Sequence, residues 1–99
     1  MKLVYTEQAI ESLHEALEFI SEKVSRKKLL EIRDEILKKA DNLVRQPYLG
    51  QEEPYLDHLQ SGHRRLVYGH YKIIYRIEGG TIYITDIFDS RQDPAKMKG

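Results

Sequence analysis

An α+β fold is predicted, with a helical hairpin packed on a largely antiparallel four-stranded sheet in the order β-α-α-β-β-β. Three features of the sequence carry this. Two long segments in the N-terminal half bear apolar residues at helical spacing. Three short segments in the C-terminal half alternate apolar and polar residues and are parted by glycine-bearing turns. The 99 residues suffice for one domain, residues 1–99, and are too few for two.

Leu3-Val4-Tyr5 reads as a short strand, and Thr6 can cap the helix that follows. In that helix Ile10, Leu13, Leu17, Ile20 and Val24 line one face, while Glu11, Glu15, Glu18 and Glu22 line the other. The acidic stripe is either a solvated face or a dock for a basic partner. Ser25 can cap a second helix running to about Arg45, with Leu29, Ile32, Ile36, Ala40 and Leu43 as its apolar face. Asp34 with Lys38 and Glu35 with Lys39 are favourable i,i+4 pairs. Arg26, Lys27 and Lys28 oppose the helix dipole at its start. The short break between the helices predicts an antiparallel hairpin rather than a coiled coil, for which the apolar faces are too wide.

Gln46 to Gly62 reads as an ordered loop broken by Pro47, Gly50, Pro54 and Gly62, with one helical turn near Tyr55–Leu59. Tyr48, Leu49, Tyr55, Leu56 and Leu59 are expected to pin it to the core. Arg65–Tyr68 is the next strand, followed by a tight turn at Gly69-His70. From Tyr71 to Ile77 the residues Tyr71, Ile73, Tyr75 and Ile77 face one way, and Lys72, Ile74 and Arg76 the other. Gly79-Gly80 meets the positive-φ demand of a hairpin turn, and Ile82–Phe88 is the last strand. Ser90 to Gly99 reads as a polar tail.

Sixteen basic and sixteen acidic residues give no net charge, which excludes a polyanion-wrapping protein at the level of total charge. With no cysteine there is no disulfide, thiol nucleophile or cysteine-ligated zinc, in keeping with a reducing cytosol. No apolar run approaches the roughly 18 residues of a membrane span, and the N-terminus has no signal-peptide pattern. A cytoplasmic protein is expected.

The balanced total hides a local pattern. Arg64, Arg65, Lys72 and Arg76 stand in a stretch without a carboxylate, and Arg91 follows the last strand. Lys72 and Arg76 share a strand face, roughly 13 Å apart. Such an array can bind phosphates or engage an acidic protein surface, or it can simply keep a sheet face soluble, paired with Asp86 or Asp89. His14, His58, His63 and His70 have no metal-ligand spacing, so neither a metal nor a cofactor is expected. The tyrosines of the strands suit a core edge better than base stacking. Asp86, Asp89 and Asp93 fall too near cations to favour a Mg²⁺ site.

The segment from Gly62-His63-Arg64-Arg65 through Tyr71-Lys72-Ile73-Ile74-Tyr75-Arg76-Ile77, with Gly79-Gly80 and the closing Arg91-Gln92-Asp93-Pro94, resembles the ParE branch of the ParE/RelE toxin superfamily. The helical first half and the Gly50-Gln51 loop agree, so the resemblance covers nearly the whole chain. It implies the toxin of a type II toxin–antitoxin pair of the plasmid-stabilisation kind, held inactive by a cognate ParD/RelB-like antitoxin. ParE-like members poison DNA gyrase and are not themselves catalysts; RelE-like members are endoribonucleases that cut mRNA on the ribosome.

The departures bear on that choice. From Asp89 to Gly99 there is no Tyr and no His, and Gln92 replaces the second of two arginines common in the superfamily. A nuclease here would lack its usual late proton donor. It would use Arg64, Arg65, Lys72, Arg76 and Arg91 on phosphate, with His63, His70 or Tyr71 as acid or base. The ParE-like reading is favoured, with the same five cations contacting target or antitoxin. A non-toxic antitoxin-binding module is the third reading. No direct sequence-specific DNA binding is expected of this chain.

Overall fold

The computed structural model describes residues 1–99. Chain order is β1 (Lys2–Tyr5), α1 (Glu7–Ile20), α2 (Arg26–Asn42), β2 (Gln51–Glu52), β3 (Arg64–Tyr68), β4 (Tyr71–Glu78) and β5 (Thr81–Asp89). Two 3-10 turns, Pro54–Leu59 and Pro94–Lys96, complete it. The sheet has five strands rather than four, in the order β1-β5-β4-β3-β2. The extra strand is the two-residue β2, where Gln51 and Glu52 pair with Arg65 and Arg64. A polar pair with no alternation gives no strand signal, and only its neighbour defines it. β1 runs parallel to β5; the other pairings are antiparallel.

Both expected caps form. The Thr6 Oγ1 accepts from Ala9 N at 3.1 Å and donates to Ile84 O at 3.1 Å, so one hydroxyl starts α1 and ties it to β5. Ser25 accepts from Lys28 N at the start of α2. Against expectation, Ile10 is 57% exposed, and the face of α1 toward the sheet is Ala9, Leu13, Ala16 and Ile20. The two alanines let the helix approach the sheet closely, turning the bulkier Ile10 outward. α2 behaves as predicted, burying Ile36, Ala40 and Leu43, though the helix ends at Asn42 and the chain turns into Pro47. The helices lie on one sheet face over Tyr71, Ile73, Tyr75, Ile82, Ile84 and Ile87.

A bulge sets the faces of β5. Ile74 pairs with Asp86 and Tyr75 with Ile84, leaving Thr85 without a cross-strand partner. The alternation therefore shifts by one. Ile84 and Ile87 both face the helices, while Asp86 and Phe88 turn to the opposite face. There Ile74 and Phe88 meet Leu56 of the first 3-10 turn and Met97 of the tail, forming a second, smaller core. The tail is thus docked rather than a polar extension.

The loop between α2 and β3 is held by polar anchors, not by the apolar residues expected. Tyr48, Leu49, Tyr55 and Leu59 are largely exposed, and Leu56 alone of that set is buried. Instead the fully buried Tyr75 donates its hydroxyl to Pro47 O at 2.9 Å and accepts from Gly50 N at 2.9 Å. Gly50 is required there because a Cβ would lie 2.6 Å from Arg65 O and 2.7 Å from the Tyr75 hydroxyl.

Candidate functional site

The sheet face opposite the helices carries the basic cluster. Register places Arg65 and Val67 of β3 beside Ile74 and Lys72 of β4, with Arg76 beside Tyr83 of β5. One acid, overlooked in the sequence, organises the cluster. Glu53 is fully buried. Its N–H donates to His63 O at 2.9 Å and its Oε2 accepts from Tyr55 N at 3.2 Å, capping the Pro54–Leu59 turn. Its Oε1 accepts from Lys72 Nζ at 2.8 Å and lies 3.8 Å from Arg65 Nε. The Tyr55 ring covers the Lys72 ammonium at 5.5 Å. The signal available in the sequence was an acid directly before Pro54, the order of a helix cap followed by proline in the first turn.

The other cations are also engaged. Arg76 pairs with Glu78 at 2.6 Å and stacks over the Tyr83 ring at 4.4 Å. Arg65 also bonds to Glu52 O and Gln51 Oε1. Arg64 does not join the group. It pairs with Tyr75 in register and so points to the helix side, where it donates to Gly50 O at 2.6 Å and lies 5.1 Å from the Tyr48 ring. Arg91, beyond the end of β5, is clamped by Asp89 at 3.0 and 2.7 Å. That clamp holds the Asp89 carboxyl below its ordinary range. Of the five predicted residues, Arg65, Lys72 and Arg76 share the face.

The candidate proton-transfer groups stand elsewhere. Tyr71 faces the helix side, with its phenol pKa pushed up mainly by burial. His70 is exposed in the β3–β4 turn. His63 is only 4% exposed, with neither ring nitrogen hydrogen-bonded. Burial first, then the neighbouring Arg76, lower its pKa. The late carboxylates are used separately: Asp86 accepts from Lys98 N at 2.9 Å, Asp89 holds Arg91, and Asp93 caps the last 3-10 turn through Ala95 N.

A second feature appears only in three dimensions. β1 stops at Tyr5, opposite Ile84, whereas β5 continues to Asp89. Thr85–Asp89 therefore lacks a β1 partner, and an open groove lies between this stretch and Gln8, Ser12 and Phe19 of α1. Phe19 is 62% exposed there, with the Lys23 ammonium 3.9 Å from its ring. No helix is long and apolar enough to cross a membrane.

Comparison with known proteins agrees with this geometry. No curated protein matches the chain by sequence. Among solved structures, a chain of the chromosomal ParDE TA system from P. aeruginosa superposes with a TM-score of 0.70 and 22% identity, over 88% of this chain and 92% of that one. The family model described as ParE toxin of type II toxin-antitoxin system, parDE, matches residues 3–94. That span takes in both helices, all the strands but for Lys2 at the start of β1, and Arg65, Lys72 and Arg76; this chain belongs to the ParE toxin family of type II toxin–antitoxin systems.

Proposed function

We propose that the chain acts in the cytoplasm as the toxin of its pair by binding a protein target, DNA gyrase, and that a cognate ParD/RelB-like antitoxin neutralises it. The observation that carries the choice of binding over cleavage is the separation of charge from proton transfer. Neither Tyr71 nor His63 stands free beside the face with Arg65, Lys72 and Arg76. Tyr71 lies on the other side of the sheet, and both His63 nitrogens are buried. General acid–base catalysis needs such a group within hydrogen-bond reach of the reacting atom. Cations already paired with Glu53 and Glu78 also suit recognition of a patterned protein surface better than capture of a phosphate. The unpaired stretch of β5 and the edge strands β1 and β2 offer main-chain groups to an extended antitoxin segment. Arg65, Lys72 and Arg76 are the contact residues in this reading, with Arg64 and Arg91 at its margins.

The test is pulse-labelling of DNA and protein synthesis in the minutes after induction. DNA synthesis should stop first, purified chain should trap cleaved plasmid with gyrase, and co-expression of the adjacent antitoxin frame should restore growth. Arg76→Ala is the variant to use. Its partner Glu78 is 71% exposed, so losing that pair costs little stability while removing a contact charge. Translation stopping first, with mRNA cut at codon-linked positions, would replace this reading with the ribosome-dependent endoribonuclease.

A further inference from the structure

Of the open edges of the sheet, one lies in a groove. β2 is two residues long, and β1 is simply the outermost strand. The stretch of β5 beyond Ile84 instead lies along a groove of about 1000 Å³. Gln8, Ser12 and Phe19 from α1 line it, and so do Lys96 and Lys98 from the tail. The tail is fixed there by two hydrogen bonds, from Lys98 N to Asp86 Oδ2 at 2.9 Å and from the Thr85 hydroxyl to Lys98 O at 3.4 Å.

Register decides which main-chain groups face the groove. Ser90 N donates to His70 O at 2.7 Å, so these two form a bonded pair of the β4–β5 ladder. Bonded pairs alternate with unbonded ones, which makes Phe88–Lys72 and Asp86–Ile74 the next bonded pairs. Ile87 and Asp89 therefore turn their N–H and C=O groups away from β4. β1 does not reach them, since its last bond runs from Thr6 N to Ile84 O. Gln92 N takes the Asp89 C=O, and the Ile87 N–H bears on the Asp86 carboxyl. The Ile87 C=O and the Asp89 N–H are left. An acceptor and a donor two residues apart are what a single residue of a parallel strand engages, as β1 does upstream.

The side chains around this edge give the chemistry of the occupant. Lys23, Lys96 and Lys98 are exposed and none is ion-paired. Two of the three carboxylates in the groove are committed, Asp86 to Lys98 N and Asp89 to Arg91, which leaves Glu15. Phe19 is 62% exposed beside Ala16, with the Lys23 ammonium 3.9 Å from its ring. An extended segment with acidic residues and one bulky apolar side chain matches both the surplus cations and the bare ring.

We infer that this groove takes an acidic, extended segment of the cognate antitoxin as a sixth strand, parallel to β5 and in line with β1. One residue of the segment bonds Ile87 C=O and Asp89 N–H, an apolar side chain rests on Phe19, and carboxylates meet Lys23, Lys96 and Lys98. The site rests on the antitoxin pairing proposed above and selects one edge of the sheet for it.

The test is amide hydrogen exchange of the full chain by NMR, free and in complex with the product of the adjacent antitoxin frame. In the free chain the Asp89 amide should exchange close to its intrinsic rate, while Phe88, bonded to β4, is protected. In the complex Asp89 protection should rise by about tenfold or more, and that of Leu3, on the outer edge of β1, should not change. Phe19→Ala should weaken binding by about tenfold or more, with Tm unchanged because the ring is exposed. Lys23→Glu with Lys96→Glu should weaken it more at low salt than at high salt. Leu49→Ala, an exposed position next to β2, should leave affinity within about twofold. Binding with the Asp89 amide still open, or full affinity in both groove variants, would overturn the groove and leave the pairing intact. No binding at all would remove the pairing and the groove with it. Asp89 protection in the free chain that grows with concentration would place a second copy there and overturn the antitoxin as occupant.

Discussion

Lys72 illustrates how a residue chosen for its charge becomes part of the fold. Consider Lys72→Ala. Its ammonium is the closest cation to Glu53, at 2.8 Å, and Glu53 has no solvent exposure. Removing one member of a buried pair typically costs about 3–5 kcal/mol, because the remaining charge is left without water or counterion. Here the cost is reduced. The Lys72 side chain is 19% exposed, Arg65 remains 3.8 Å from the carboxylate, and Tyr55 N–H still donates to it. A loss of about 2–3 kcal/mol follows, or roughly 8–20 °C in Tm for a domain of this size. Adding Glu53→Gln should recover part of it, since the amide keeps the cap and removes the stranded charge. The double mutant should differ from additivity by about 1–3 kcal/mol. Urea unfolding followed by far-UV circular dichroism measures all four corners of the cycle. A Lys72→Ala loss below about 0.5 kcal/mol, or strict additivity with Glu53→Gln, would refute the claim that Glu53 organises this face. The consequence for function is direct: lost toxicity in Lys72→Ala would mix a contact with a fold defect, whereas Arg76→Ala separates them.

Four further outcomes are expected. Tyr75→Phe strands Pro47 O and Gly50 N in the interior and should cost about 1–3 kcal/mol, whereas Tyr5→Phe, whose hydroxyl is buried without a partner, should cost almost nothing; urea midpoints compare them. The same Tyr5 phenol, pushed up to about 12 by burial and then by Asp41, gives stability below its ordinary pKa of 10.0 that is lost as pH rises toward 12, and Tyr5→Phe should remove that alkaline loss in melts. Gly50→Ala places a methyl against Arg65 O and the Tyr75 ring and should cost about 1–3 kcal/mol, with the Gly50 to Arg64 bond lost in NMR spectra of the loop. Arg91→Ala should flatten acid unfolding near pH 4: the depressed Asp89 pKa contributes stability above 3.8 that disappears as pH falls through the folded value, and acid titration reads it.

What the sequence alone determined is what local periodicity and caps record. Leu29, Ile32, Ile36, Ala40 and Leu43 mark one helix face because burial on a helix repeats every three or four residues. Tyr71, Ile73, Tyr75 and Ile77 mark one strand face because side chains alternate. Thr6 and Ser25 announce the helices because a hydroxyl must meet free N–H groups at those ends. The basic cluster was legible as composition. Its arrangement was not, because it depends on residues distant in the chain. Pairing with Tyr75 sends Arg64 to the helix side, and the Thr85 bulge turns Asp86 and Phe88 to the other. β2 exists only because β3 lies beside it, and Glu53 is an anchor only because the loop folds back over Lys72. A tail that reads as polar is docked by the single Met97, which finds Ile74, Phe88 and Leu56 waiting. Periodicity reports which way a residue faces within its own element; which charge meets it there is decided when elements many residues apart are brought together.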